Sequence, residues 1–137
     1  MKDFYIEKKI YYHDTDAGGV VYYGSYLKHL EESRTEYFSS IGVDLVKYAK
    51  NGLIFPVVHL EMDYKKPARY GDTIKVFTWP ENIGNASLAL KQEIRLGETL
   101  LVICKVTWAC VNIALKPTRI PEEIRSKLTA YLGIKNA

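Results

Sequence analysis

The apolar residues of this chain change their period once. From about Ser25 to Ser40, Leu27, Leu30, Arg34, Tyr37 and Phe38, with Ile41 just beyond, recur at steps of three and four, which is one face of an α-helix. Gly42 stands where such a helix stops. After Pro56 the step becomes two: Val58, Leu60, Met62 and Tyr64 alternate with His59, Glu61 and Asp63, and Leu88, Leu90, Ile94 and Leu96 alternate with Ser87, Lys91, Glu93 and Arg95. One long amphipathic helix has one apolar face to hide, and strands with one wet face have one to offer. The expected arrangement is a sheet curled around the helix.

The remaining segments fill in this plan. Residues 4–12, FYIEKKIYY, suit a first strand, 43–52 a short second helix, and 72–79, DTIKVFTW, a strand between the two alternating segments. The run 99–113 is apolar on both faces and is expected centrally in the sheet, entered through a two-residue turn at Gly97-Glu98. PEEIRSKLTAYLG, 121–133, has Pro and two Glu in its first turn and Gly at its end, and reads as a terminal helix. The order is strand, long helix, four strands in meander, short helix. This is an α+β fold read as one domain over 1–137, with about five antiparallel strands.

Composition bounds the function. With 137 residues, 47% hydrophobic and 26% charged, the chain is an ordinary globular one with enough material for one core. No stretch approaches the roughly 20 apolar residues of a membrane span, and MKDFYIEKKI lacks a secretory core, so a cytoplasmic location is expected. Cys104 and Cys110 lie about 20 Å apart on one extended run, too far for a disulfide, and are expected as buried thiols. Residues 1–64 carry seven Lys/Arg against ten Asp/Glu, and residues 65–137 twelve against six, so the basic excess lies in the second half. That suits an anionic ligand as well as a solvated face. No dense basic cluster or RNA-binding aromatic motif accompanies it, which argues against nucleic acid.

The segment HDTDAGGVVYYGSY, 13–26, carries the chemistry. A helix starting near Tyr23 leaves backbone amides unpaired and a partial positive charge, a place where a carbonyl oxygen is polarised as its carbon is attacked. A carboxylate beside it, Asp14 or Asp16, can attack that carbon or take a proton from water. Spacing does not choose between the two acids, and either also suits a helix cap. The segment lacks the further ligands of a calcium loop, and two Cys without nearby His do not make a zinc site, so no metal is expected. His29 falls on the charged side of the helix and His59 on the polar side of a strand, both surface positions. Glu31 and Glu32 belong to the solvated helix face, with Glu32 placed to orient a water. Tyr22 and Tyr23 read as packing residues.

These residues are familiar. YYHDTDAGGVVYYGSYLKHLEESRTEYF together with DYKKPARYGDTIKV, 63–76, resembles the hotdog-fold acyl-CoA thioesterases of the 4-hydroxybenzoyl-CoA thioesterase type, particularly the bacterial branch associated with the Tol-Pal operon. The resemblance implies a hotdog fold forming homodimers or homotetramers with active sites at subunit interfaces. It implies hydrolysis of acyl-CoA thioesters with no cofactor other than the coenzyme A of the substrate. It breaks the tie between the acids in favour of Asp16, as nucleophile or general base, assigns the thioester oxygen to the amide of Tyr23, and matches Tyr12 to an assisting tyrosine. Where that branch tends to have His, this chain has Tyr23, so no His-assisted step is expected. The turn ENIGNAS keeps Ser87 but lacks the basic residues of relatives, which leaves the coenzyme A phosphates to Lys116 and Arg119, helped by Lys91 or Arg95. Phe55, Pro56, Val57 and the Tyr-rich loop are candidates for the acyl pocket. The alternatives are a hotdog hydratase or dehydratase, which needs a His paired with the acid, and a binding module for acyl-CoA or acyl carrier without turnover.

Overall fold

The computed structural model describes residues 4–132. Among them run five strands and three α-helices: β1 (Tyr5–Lys9), α1 (Tyr23–Ser40), α2 (Leu45–Lys50), β2 (Val57–Tyr64), β3 (Thr73–Ile83), β4 (Ser87–Leu96), β5 (Thr99–Ala109) and α3 (Glu122–Thr129). A one-turn 3₁₀ helix, Tyr12–Asp14, follows β1, which is therefore shorter than the sequence run 4–12. The end of the expected terminal helix at Gly133 lies outside the described residues.

All strand pairings are antiparallel, in the order β1-β3-β4-β5-β2. The expected meander thus holds for β3, β4 and β5, while β2 pairs with β5 on the far edge. Two strands in sequence cannot form a tight hairpin across residues 65–72, whose backbone is bonded elsewhere: Val21 N–H donates to Ala68 O, Gly71 N–H to Ile10 O, and Ile10 N–H to Asp72 O. β4 is the central strand, and β5 lies between it and β2. β3 runs four residues past the expected end at Trp79, through Pro80. Pro is tolerated there because β1 pairing ends at Phe77 and the β3–β4 register shifts between Pro80 and Asn82. β5 ends at Ala109, short of the apolar run.

α1 packs on the sheet through Tyr26, Leu30, Ser33, Arg34, Tyr37 and Phe38, and Gly42, at φ +82°, turns the chain away after it. Leu27, expected on this face, is 43% exposed, and His29, expected at the surface, is 5% exposed. The cause lies in what covers the first turns: residues 65–68 lie over Tyr26, whose hydroxyl accepts the Ala68 N–H at 2.9 Å, and the 3₁₀ turn lies over His29. Gln92, wholly buried at the centre of β4, joins helix to sheet. Its Nε2 donates to Leu30 O and Thr78 Oγ1, and its Oε1 accepts from Arg34, each at 2.9 Å. Ser33 adds bonds to Val76 O at 2.9 Å and Thr78 Oγ1 at 2.8 Å. Cys104 and Cys110 are free and buried as expected, and burial pushes the Cys104 thiol up to about 11.

β2 departs from the rest. Val57, Val58, Leu60 and Tyr64 are all exposed, and Met62 alone on this edge strand is partly buried against the core.

Gln92→Leu takes from the buried Arg34 guanidinium its hydrogen-bonded partner, while Thr78 keeps its bond to Ser33. It is expected to lower the unfolding free energy by about 3 kcal/mol, measured by urea titration, comparable to about 3–5 kcal/mol for Phe38→Ala.

Candidate active site

Residues 14–22 form a closed loop between the 3₁₀ turn and α1. Its stem is held by Tyr22 N–H donating to Asp14 O at 2.9 Å and its tip by Asp16 N–H donating to Val20 O at 2.9 Å. Gly19, at φ +80°, makes the turn that a side chain would strain. The Asp16 side chain is exposed at the loop tip, with Oδ1 accepting the Gly18 N–H at 2.8 Å. That bond fixes one carboxylate oxygen and leaves Oδ2 without a hydrogen-bond partner among the described residues.

α1 begins directly after this loop. Its N-cap is Tyr22, no side chain caps it, and no acidic residue stands in its first turn. Helix geometry gives the amides of Tyr23 and Gly24 no acceptor within the helix, so this end offers donors and positive potential to a ligand. A Cβ at Gly24 would stand 2.5 Å from the Tyr22 ring folded over it, so a side chain there would push that exposed ring aside.

Asp16 and Tyr23 share a groove of about 520 Å³ with Val20, Val21, Tyr26, Tyr64, Lys65, Lys66 and Pro67. Its walls are aromatic: the Tyr23 ring lies 4.9 Å from that of Tyr22 and 6.2 Å from that of Tyr64, and the Tyr26 and Tyr64 rings are 5.8 Å apart. Burial raises the pKa of both Tyr26 and Tyr64, so these phenols stay neutral. Tyr12 is 76% exposed, edge-on to Tyr70 at 5.8 Å, and does not line the groove. Lys65 and Lys66 are the residues that sequence reasoning passed over. Two adjacent lysines just after the alternating run were the available signal.

Asp14 is not interchangeable with Asp16. It is 1% exposed and turned away from the groove, into a second cavity of about 390 Å³ shared with His29, His13 and Glu32. Glu32 therefore belongs to this second cavity, where it pairs with Lys8 at 2.9 Å. His59 is exposed on β2, paired with Glu61 at 2.9 Å.

The phosphate candidates collect at another place. Arg119 donates to Asn85 Oδ1 at 2.7 Å, and the Ile120 N–H donates to Asn85 O, which sets the 116–120 segment against the turn preceding Ser87. Arg125, not singled out in the sequence, also reaches this turn, donating to Gly84 O at 2.9 Å. Lys116 and Arg119 are exposed, whereas Arg95 is tied to Glu93 at 3.0 Å. Ser87 pairs with Ala109, beside the Val57 end of β2, while the Asp16 groove lies at the Tyr64 end. An eight-residue strand puts these ends roughly 24 Å apart. Phe55 and Val57 likewise line a separate pocket of about 300 Å³ with Arg34 and Trp108, without Pro56.

A central helix on a five-stranded antiparallel sheet, with an acidic loop and an open groove at the helix start, defines the hotdog class. The model of the thioesterase superfamily matches residues 18–109. The acyl-CoA thioesterase YbgC of Haemophilus influenzae is 32% identical over 120 residues, covering 86% of this chain and 88% of its own. The acyl-CoA thioester hydrolase YbgC of an Escherichia coli O6:H1 strain is 34% identical over 118 residues, covering 85% and 88%. The crystal structure of a DHNA-CoA thioesterase from Staphylococcus aureus superposes with a TM-score of 0.88 at 30% identity, over 97% of this chain and 94% of that one. The chain belongs to the thioesterase superfamily.

Burial lowers the pKa of His29 from its ordinary 6.5, with Asp14 and Glu32 opposing the shift and Lys8 adding to it. The unfolded chain therefore binds the extra proton more readily, and stability that is complete above 6.5 is lost as pH falls from there through the folded value. Unfolding free energy measured against pH should decline on acidification below about 6.5, with a shallower slope in His29→Phe.

Proposed function

We propose that this chain hydrolyses acyl-CoA thioesters to a free acid and coenzyme A. The observation that carries the reading is the meeting of one tethered carboxylate, Asp16, with the uncapped start of α1 in a single groove. The thioester oxygen rests on the Tyr23 amide, where the helix end stabilises the charge that develops on it. Asp16 Oδ2 either attacks the carbonyl carbon, giving an anhydride that water then opens, or removes a proton from the attacking water. In both routes one water is consumed, the C–S bond breaks, and the thiol leaves. The Tyr23 side chain contributes only wall, which agrees with Tyr in place of His. Tyr12, exposed beside Tyr70 and outside the groove lining, takes no direct part in the step.

The site is completed by a second copy. β2 is an edge strand with no further strand paired to it among the described residues, and it carries the exposed apolar residues Val57, Val58, Leu60 and Tyr64. Antiparallel pairing of β2 with itself about its midpoint brings Val57 of the partner subunit beside Tyr64. That places the phosphate candidates Ser87, Lys116 and Arg119, and the Phe55 pocket, of one protomer at the Asp16 groove of the other. Lys65 and Lys66, already lining the groove, add positive charge for the anionic substrate. A homodimer is thus the smallest working unit, and homotetramers are built from it.

A hydratase would need a His paired with the acid in the groove. The only buried His among the described residues, His29, faces Asp14 in the other cavity. Tight acyl-CoA binding without thiol release would instead mark a binding module.

Thiol release from a panel of acyl-CoAs tests the reading: Asp16→Asn is expected to lose at least about 100-fold in kcat while remaining folded, and Asp14→Asn to lose less. Full turnover in Asp16→Asn would exclude it. Leu60→Lys, at the middle of β2, is expected to shift the sedimentation coefficient to that of a monomer and to remove turnover with it.

A further inference from the structure

The second cavity holds a buried titratable pair that the proposed chemistry does not use. Asp14 is 1% exposed and His29 5%. Asp14 Oδ2 accepts the Tyr11 N–H at 2.9 Å, but Oδ1 has no hydrogen-bond partner and lies 3.4 Å from His29 Nε2 and 3.7 Å from His13 Nδ1. Both His29 nitrogens also lack a hydrogen-bond partner among the described residues, with Nδ1 3.7 Å from Glu32 Oε1. Leaving such groups apart inside a protein is costly, so their juxtaposition needs a reason.

The remaining charges around the imidazole come from two elements. From β1, Lys8 reaches Glu32 Oε1 at 2.9 Å, and Glu7 and Lys9 line the cavity mouth. From α1 itself come Lys28 and Glu32. Lys8 is paired with Glu32, and the exposed His13 stands farther from Asp14 Oδ1, at 3.7 Å, than His29 at 3.4 Å.

Asp14 is the stem of the loop that carries Asp16, through its carbonyl bond to Tyr22 N–H at 2.9 Å. His29 lies in the second turn of the helix whose first amides face the groove. The pair therefore spans the two halves of the site, one carrying the carboxylate and the other the donors. We propose that His29 is a positioning residue: by holding the Asp14 carboxylate against α1, it fixes the distance between Asp16 and the amides at the helix start. The inference rests on the reading of Asp16 given above. A neutral imidazole protonated on Nε2 meets Oδ1 as donor. A second proton, on Nδ1, changes the charge of the pair and with it the set of the loop.

Steady-state kinetics on one acyl-CoA substrate, from about pH 5 to 8, compare the wild type with His29→Phe and His29→Gln. The expected result for His29→Phe is a kcat lowered at least about tenfold with KM within about twofold. His29→Gln, whose amide donates from nearly the same point as Nε2, should recover most of that loss. An inflection in kcat below about 6.5 in the wild type should be missing from both variants. Unchanged kcat and the same inflection in both, with Asp16→Asn inactive, would overturn the proposal. Should His29→Phe fail to fold, the inflection in His29→Gln decides: its loss supports the proposal and its persistence overturns it. Full activity of Asp16→Asn would instead overturn the reading of the groove, and this inference with it.

Discussion

Three hydrogen bonds to the side chain of Gln92, from inside β4 to Leu30 O, Arg34 and Thr78, fix where the long helix sits on the sheet. Apolar packing alone resists sliding weakly, because one leucine-sized ridge can replace another. A buried amide whose partners are at set positions cannot shift without leaving donors and acceptors unpaired. Arg34 makes this constraint stricter, since its buried guanidinium has Gln92 as its hydrogen-bonded partner and the Trp108 ring 5.9 Å away. The helix start, and therefore the donor end of the groove, inherits its location from this contact near the middle of the helix.

The other half of the groove is set by backbone. Residues 14–22 close on themselves through bonds between Asp14 and Tyr22 and between Asp16 and Val20, while Val21 is tied to Ala68. An exposed carboxylate at the tip of so short a closed loop has few conformations to lose when substrate arrives, which favours preorganisation over later rearrangement. The two acids of the D-x-D segment point to opposite sides of this loop. That is how chain geometry turns two chemically equivalent residues into one exposed group and one buried anchor.

The candidate contacts do not all lie together in a single chain. Its strand edge at β2 is open, and the basic residues near Ser87 stand a strand length from Asp16. A single copy offers a groove with an aromatic wall and two lysines but leaves the remaining candidate contacts at the opposite end of β2. The proposed self-pairing of this edge would reverse one copy relative to the other and turn that separation into proximity.

What was legible in the sequence was periodic. The switch from steps of three and four to steps of two gave the long helix and the alternating strands, because period follows directly from backbone geometry; the Gly97-Glu98 turn came from turn chemistry, and the hotdog class from the resemblance of residues 11–38 and 63–76. The acid-Gly-Gly segment before the helix marked a candidate site for a similar reason: capping and turn chemistry are local. Contacts between segments decided the rest. The backbone of 65–72, bonded to Ile10 and Val21, sent β2 to the far edge, and the cover over the first turns of α1 exchanged the places of Leu27 and His29. Asp14 went inward and Asp16 outward because loop closure orients side chains that sequence spacing leaves equivalent. Residue types and their period are properties of the chain taken a few residues at a time, whereas burial and direction depend on which distant segment lies across each one, and only the folded protein supplies that.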